Sequence, residues 1–391
     1  MSEPRHRQRT LTTVLIALGL ILIGVSLWLT AAGRPAAVAA PLVPAPLPDQ
    51  LPAEAHGRPR IDVVFALDTT GSMEGLIAGA KAKIWSIASQ IAAGKPTPDL
   101  RIGLIAYRDR GDEYVTRQFP LSRNMDDVYA NLMSFSASAG GDRPEDVISA
   151  LDGALGGMAW DRSKQALRLV FLVGDSPAHE DYRDQPTLAD VMRRASAAGI
   201  IINTIRCGDA ADTEQMWRRV SRGTGGAYAS VAQSGGWMQI ATPYDTELSS
   251  LNARLNETFI PYGEAGEQAA AARRMHGNAA MAAPAAASSA AFRARAGYLD
   301  SNDALSVIAK GGKLDGRQLG AGLAGKSADE QRAVLSQKAA DRDELNRKIQ
   351  DLAKKRDDYV KREADKRGGG GMESEVTNML RSQAGKVGVR Y

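Results

Sequence analysis

Between residues 61 and 259, short apolar runs alternate with amphipathic stretches. Runs rich in β-branched and aromatic residues predict strands, and apolar positions spaced three and four apart predict helices. The predicted strands are 61–67, 100–107, 114–120, 167–173, 200–205 and 227–231. The predicted helices are 73–93, 124–135, 144–158, 187–198, 213–221 and 245–259. This alternation predicts an α/β fold of Rossmann-like type, in which helices cover both faces of a mainly parallel central sheet.

The pattern changes after residue 263. An Ala-rich stretch over 269–291 predicts a flexible or partly helical tether, and 303–310 predicts a short helix. Ser327 and Glu330 form a capping-box start for a helix that we expect to reach about Lys366 and to pack on the protein rather than form a dimeric coiled coil. A final amphipathic segment covers 373–383. We therefore expect a domain at 60–263, a tether at 264–300 and a helical C-terminal extension at 301–391.

The N-terminal pattern predicts a membrane anchor. Residues 11–32 are apolar and uncharged, which is long enough to span a bilayer, and Arg5, Arg7 and Arg9 precede them. We expect residues 1–10 in the cytoplasm, a transmembrane signal anchor at 11–32, and a Pro/Ala-rich linker at 33–59 that leads to an extracytoplasmic domain. A cleaved signal peptide is the alternative, because residues 37–40 resemble a small-residue cleavage site.

Composition narrows the functional classes. The chain has 391 residues, of which 49 are basic and 45 acidic, and its net charge is +4. The basic residues are not gathered into one aromatic-bearing patch, so nothing indicates a nucleic-acid partner. The single cysteine, Cys207, excludes an internal disulfide and is expected to be inert.

Oxygen-bearing side chains follow two predicted strands and precede one predicted helix. Asp68, Thr70 and Ser72 come directly after the first strand, and Asp175 follows the strand at 167–173. Asp142 lies in a Gly-Gly-Asp-Arg-Pro-Glu loop before a predicted helix. Ligands of open α/β sheets bind at the carboxyl ends of the strands, and hard oxygens suit Mg²⁺, with Mn²⁺ or Ca²⁺ as alternatives. We therefore expect a metal site composed of these five residues.

Each of these residues also has a purely structural interpretation. Asp68, Thr70 and Ser72 can cap the helix that begins near residue 72, and Asp175 can form an Asx-turn before Pro177. Asp142 can cap the helix predicted from Pro144, either instead of binding metal or in addition to it. His179 is expected to be a surface histidine.

The arrangement resembles a von Willebrand factor A (vWA) domain with a metal-ion-dependent adhesion site (MIDAS), of the bacterial membrane-anchored type. The family motif is Asp-x-Ser/Thr-x-Ser after the first strand, a Thr in a central loop and an Asp after the fourth strand. The resemblance therefore assigns Asp68, Thr70, Ser72 and Asp175 as metal ligands. It covers about half of the chain. Asp142 stands where the family has Thr, and Ser136 and Ser138, slightly earlier in the chain, are the alternative ligands from this loop. The extra carboxylate should tighten metal binding and weaken the attraction of an acidic ligand, unless Arg143 offsets it.

The resemblance implies a function in binding rather than catalysis. A protein partner would fill an open coordination position of the ion, for example with an acidic side chain. A structural envelope scaffold with a purely structural metal is the alternative. A metal-dependent phosphohydrolase is a weaker candidate, because Thr70 stands where such enzymes need a second carboxylate. The sequence also contains no phosphate-binding P-loop.

Overall fold

The computed structural model describes residues 58–140, 143–237, 240–297, 300–320, 322–366 and 371–391. The predicted anchor at 11–32 and residues 33–57 of the predicted linker lie outside the described residues. Among the helices that are described, none combines the length and apolar character needed to cross a bilayer.

A six-stranded sheet in the order β3-β2-β1-β4-β5-β6 forms the centre of the fold. All neighbouring strands are parallel except β2 and β3, which are antiparallel. The strands are β1 (Arg60–Asp68), β2 (Asp99–Tyr107), β3 (Thr116–Ser122), β4 (Ala166–Gly174), β5 (Ile200–Cys207) and β6 (Tyr228–Val231). The predicted mixed α/β fold with a mainly parallel sheet is therefore confirmed, and β3 lies at one edge of the sheet.

Helices cover both faces of this sheet. One face packs against α3 (Val147–Gly156), α4 (Leu188–Ala197) and α5 (Ala211–Gly223). The other packs against α1 (Glu74–Ala92) and α2 (Met125–Met133). The last helix predicted for the domain is α6 (Asp245–Glu257). Helix α3 begins three residues later than predicted, because the side chain of Asp146 accepts a hydrogen bond from the Ser149 N–H and caps it there.

The segment predicted as a tether contains two helices, α7 (Ala265–Ala279) and α8 (Ala283–Ala296). Most of α8 is buried, and it packs against α1 and α6. Alanine has the highest helix propensity, and its small side chain lets helices approach closely. Pro284 lies in the first turn of α8, and Gly297 ends the helix in the left-handed conformation, at φ +66°.

The described residues of the C-terminal extension form three α-helices, which are α9 (Ala304–Ala309), α10 (Ala328–Lys366) and α11 (Met372–Ala384). The predicted capping box at Ser327 and Glu330 is present, and α10 packs against α6 and α8 through Leu345 and Ile349. Arg356, which interrupts the heptad pattern, forms a 2.7 Å ion pair with Asp245 of α6.

Helix α11 belongs to the core of the sheet rather than to a separate unit. Its buried apolar side chains join the cluster formed by β1, β2, β4 and α1, and they are Met372, Val376, Met379, Leu380 and Ala384. The sequence predicts the amphipathic character of α11 but not this location. The face of the sheet opposite α3, α4 and α5 is therefore completed by residues about 140 positions beyond β6.

Candidate metal site

The predicted site lies at the carboxyl ends of the two central strands. Asp68 is the last residue of β1, and the pairing of Leu67 with Val173 places it beside the end of β4. Asp175 follows Gly174 directly. A Cβ added at Gly174 would lie 2.4 Å from the Tyr107 hydroxyl and 3.0 Å from the Asp68 Cβ. The glycine is therefore required for the two strand ends to come together.

Hydrogen bonds order the loop after β1. The Asp68 Oδ1 atom accepts from the Thr70 N–H at 2.9 Å and from the Thr70 hydroxyl at 2.7 Å. The Thr70 and Ser72 hydroxyl oxygens lie 3.4 Å apart. Asp68 and Thr70 are buried, Asp175 is half-buried and Ser72 is exposed. The four residues thus extend from the protein interior to the surface, as required of an ion site that a partner can reach.

The central loop packs directly against the loop after β1. The Gly71 N–H donates to the Ala139 carbonyl at 3.0 Å, and the Ser138 N–H donates to the Thr69 carbonyl at 3.1 Å. A Cβ at Gly140, where φ is +79°, would lie 2.9 Å from the Thr70 Cβ. Asp142, two residues further on, lies outside the described residues, and its assignment as a ligand stays a prediction.

The Asp68 carboxylate provides the observation that favours a cation. Its Oδ2 atom is buried and has no hydrogen-bond partner among the described residues. Burial raises the pKa of Asp68 to about 7, hydrogen bonds from Thr70 oppose this rise, and the negative charge of Asp175 adds to it. A buried charge without a partner is unfavourable, and a divalent cation would compensate it. Two carboxylates and two hydroxyls are hard oxygen donors that suit Mg²⁺.

Neither Asp68, Thr70 nor Ser72 is only a helix cap. The short 3₁₀ turn Gly71–Met73 and helix α1 have no side-chain cap bond at Thr70 or Met73. In contrast, the capping role considered for Asp142 belongs to Asp146, which is fully buried and forms a 3.1 Å ion pair with Arg110.

Several side chains around the site form contacts that the sequence does not predict. Arg108 is almost fully buried and donates to the Thr69 and Ser136 carbonyls, which braces the loop after β1 against the central loop. Arg143 donates to Asp212 of α5 at 3.1 Å and to the Asp175 carbonyl at 3.3 Å. Gln233 donates to the Asp175 Oδ2 atom at 2.6 Å. Arg108 directly follows β2 and therefore lies at the same sheet edge as Asp68. This position in the sequence is the feature that indicates a role for Arg108 near the site.

Two acidic groups and a histidine lie on one side of these loops. The Tyr182 hydroxyl donates to both carboxylate oxygens of Asp109, at 2.9 and 3.0 Å. His179 stacks on Tyr182, and its Nε2 atom lies 3.5 Å from Asp109. The expectation of a surface histidine is therefore wrong, since only 14% of the His179 side chain is exposed. A second acid, Glu145, is 2% exposed and was not proposed as a site residue.

One protein-family model matches the segment that contains the sheet and the candidate metal site. Residues 62–243 match the model of the von Willebrand factor A domain. This segment is a vWA domain. The match covers β1 through β6 and includes the residues of the candidate metal site that lie after β1 and β4.

Individual relatives resemble the vWA domain over limited lengths. The alpha-protein kinase vwkA of Dictyostelium discoideum is 29% identical over 122 residues, which are 30% of this chain and 19% of that protein. The chain thus spans about a fifth of that relative.

Two proteins of known structure each align with 45% of this chain. Proximal thread matrix protein 1 from the mussel byssus is 13% identical over 42% of its own length, with a TM-score of 0.36, and one of its structures has a zinc-occupied MIDAS motif. An aerotolerance-related membrane protein from Bacteroides fragilis is 15% identical over 94% of its length, with a TM-score of 0.31. Both TM-scores are below 0.5, and the zinc is a property of the mussel protein.

Proposed function

We propose that this vWA domain binds one divalent cation at a MIDAS-type site and recognises a protein partner through the bound ion. Asp68, Thr70, Ser72 and Asp175 are the ligands within the described residues, and Asp142 is the ligand predicted from the central loop. The ion proposed is Mg²⁺, with Mn²⁺ or Ca²⁺ as alternatives. The supporting observation is the buried Asp68 Oδ2 atom, which has no hydrogen-bond partner among the described residues and belongs to the same loop as the Thr70 and Ser72 hydroxyls.

The partner group fills the coordination position that faces solvent. Ser72 is exposed and Asp175 is half-buried, so the ion is open on that side. An oxygen donor of the partner, such as an acidic side chain, completes the coordination shell. The bound ion supplies positive charge at a place where the protein's own groups are acidic, so the partner contact depends on the metal.

We further propose that the domain lies outside the cytoplasmic membrane and does not act as an enzyme. The location rests on the apolar segment at 11–32 and on the basic residues before it. The absence of catalysis rests on Thr70, which occupies the place where a phosphohydrolase would need its acid–base carboxylate.

A pulldown with the full chain tests the proposed recognition. Cell-envelope extract would be passed over the immobilised protein in Mg²⁺ and again in chelator. We expect a partner that is retained only with Mg²⁺ and is lost with Asp68→Asn. Asp184→Asn is the matched control, because it removes the same charge from a side chain that is 74% exposed and is not one of the proposed metal ligands. Equal retention by Asp68→Asn would contradict metal-dependent recognition and favour a scaffold with a structural metal.

A further inference from the structure

Glu145 is a buried acid next to the metal site that the family motif does not use. It ends the Gly-Gly-Asp-Arg-Pro-Glu loop, three residues after Asp142, and its side chain is 2% exposed. Its Oε2 atom is buried and has no hydrogen-bond partner among the described residues. A carboxylate in this condition is unfavourable unless a proton or a cation compensates its charge.

The main chain fixes Glu145 against the loop that carries Asp175. Its N–H donates to the Pro177 carbonyl at 3.0 Å, and its carbonyl accepts from the His179 N–H at 3.0 Å. These two bonds form a parallel bridge between Glu145 and Ala178. Asp146 follows directly as the cap of α3 and pairs with Arg110. Glu145 therefore cannot leave the interior without breaking the contact between two site loops.

The electrostatic surroundings of Glu145 are negative. Burial raises its pKa to about 9, and the charges of Asp68, Asp109, Asp112 and Asp175 raise it further in that order of importance. Burial raises the pKa of Tyr107 well above its usual range, and the charges of Asp68, Glu145 and Asp175 raise it further. The Tyr107 hydroxyl lies at the junction of β1 and β4. The neighbouring acid Asp109 has donors in Tyr182, whereas the buried Asp112 Oδ2 atom has none among the described residues. Glu145 therefore lies between the metal ligands and a second acidic pair.

We propose that Glu145 is an outer-sphere residue of the metal site, which accepts a hydrogen bond from a water on the bound cation and adds its negative charge to the ion's environment. This inference rests on the proposed metal site. Mg²⁺ keeps several waters in protein sites, so a carboxylate behind such a water is a usual arrangement.

The charge of Glu145 changes the net charge around the proposed ion. Asp68 and Asp175 neutralise a divalent ion, and Glu145 adds a further negative charge from behind. That charge holds the ion more tightly and reduces its attraction for an acidic group of a partner. Glu145 therefore increases the affinity of the site for its metal and decreases the affinity of the bound metal for an acidic group of the partner.

Glu145→Gln tests the proposal, because glutamine keeps the shape of the side chain and removes its charge. Mg²⁺ affinity would be measured by calorimetry on the full chain in mild detergent. We expect an affinity roughly tenfold to a hundredfold weaker than that of the wild type, the range typical of outer-sphere partners. Glu180→Gln is the matched control, since its side chain is 47% exposed, pairs with Arg219 and loses the same charge. We expect Glu180→Gln to bind Mg²⁺ as the wild type does.

Thermal unfolding separates this result from a folding defect. In chelator, Glu145→Gln should melt at the wild-type temperature or above it, because the buried Oε2 atom of Glu145 has no hydrogen-bond partner among the described residues that the substitution could remove. In saturating Mg²⁺ it should gain less stability than the wild type gains. A wild-type Mg²⁺ affinity in Glu145→Gln would overturn the proposal, and would indicate that Glu145 is protonated and neutral. If the wild type itself bound no metal, the proposed function would fail first.

Discussion

Asn203 of β5 and Gln383 of α11 exchange two hydrogen bonds in the protein interior, at 3.0 and 2.7 Å. Both side chains are buried, and 180 positions separate them along the chain. The Asn203 Oδ1 atom also accepts from the Ala227 N–H. The pair therefore joins the C-terminal helix, the sheet and the segment before β6 at one point, so the extension is a structural part of the vWA half of the molecule.

Gln383→Ala should destabilise the protein by about 1–3 kcal/mol, because it leaves the buried amide of Asn203 without its partner. Urea unfolding followed by circular dichroism measures the change. Gln337→Ala on the exposed side of α10 is the control and should change the free energy of unfolding by less than about 0.5 kcal/mol. A similar small effect for Gln383→Ala would mean that the two amides are solvated in solution.

Removal of residues 372–391 should prevent the sheet from forming a native core. The deletion takes away five large buried side chains, which are Met372, Val376, Met379, Leu380 and Val389. Each is worth roughly 1.5–3 kcal/mol, and the total is comparable with the whole stability of a typical domain. We expect loss of the near-ultraviolet circular dichroism signal and binding of a hydrophobic dye.

Two point variants on α11 provide a graded version of the same experiment. Leu380→Ala should cost about 2–5 kcal/mol, because Leu380 is fully buried. Asn378→Ala is on the exposed side of the same helix and should be nearly neutral. Equal stability of the two variants would place α11 away from the core.

Cys207 should be unreactive in the native protein. Burial raises the pKa of its thiol well above its usual range, and the charges of Asp175 and Asp68 add to this. We expect no modification by an aromatic disulfide reagent at pH 8 until the protein unfolds, since only the thiolate reacts. A cysteine introduced by Asn378→Cys gives the rate for an exposed thiol. Modification of native Cys207 at that rate would contradict its burial beside the site.

Asp142→Thr introduces the residue type of the family motif. It should weaken Mg²⁺ binding, because it removes a negative charge from the surroundings of the ion. Calorimetry on the full chain measures the affinity. Ser138→Thr in the same loop is a suitable control, because it leaves the charge unchanged. An affinity for Asp142→Thr equal to that of the wild type, or tighter, would show that the Asp142 carboxylate does not contribute to the ion's environment.

The sequence predicts the sheet and the loop after β1 well, because both depend on local patterns. Apolar runs identify β1 and β4, and their carboxyl ends place Asp68 and Asp175 at the same sheet edge. The start of α3 was misplaced because Pro144 and Asp146 both resemble helix-start signals. The burial of α8 could not be predicted, since an Ala-rich stretch without large apolar residues is typical of both tethers and close-packed helices.

Glu145 and Gln383 were missed for a different reason. Their importance depends on contacts with residues that are distant in the chain, and a single acidic or amide residue in a loop or helix has no periodic signal. Asn203 was the one local indication, because an amide in the middle of an otherwise apolar strand requires a buried partner. The sequence does not show that this partner is in the last helix.

Calorimetric titration of Mg²⁺ into metal-stripped full chain, wild type against Asp68→Asn, tests the metal site most directly. We expect one Mg²⁺ per chain for the wild type, a loss of at least about a hundredfold in affinity for Asp68→Asn because a directly coordinating carboxylate is removed, and wild-type binding for Asp184→Asn. Binding of equal strength in the wild type and Asp68→Asn, or no binding to the wild type, would contradict a metal site at the end of β1.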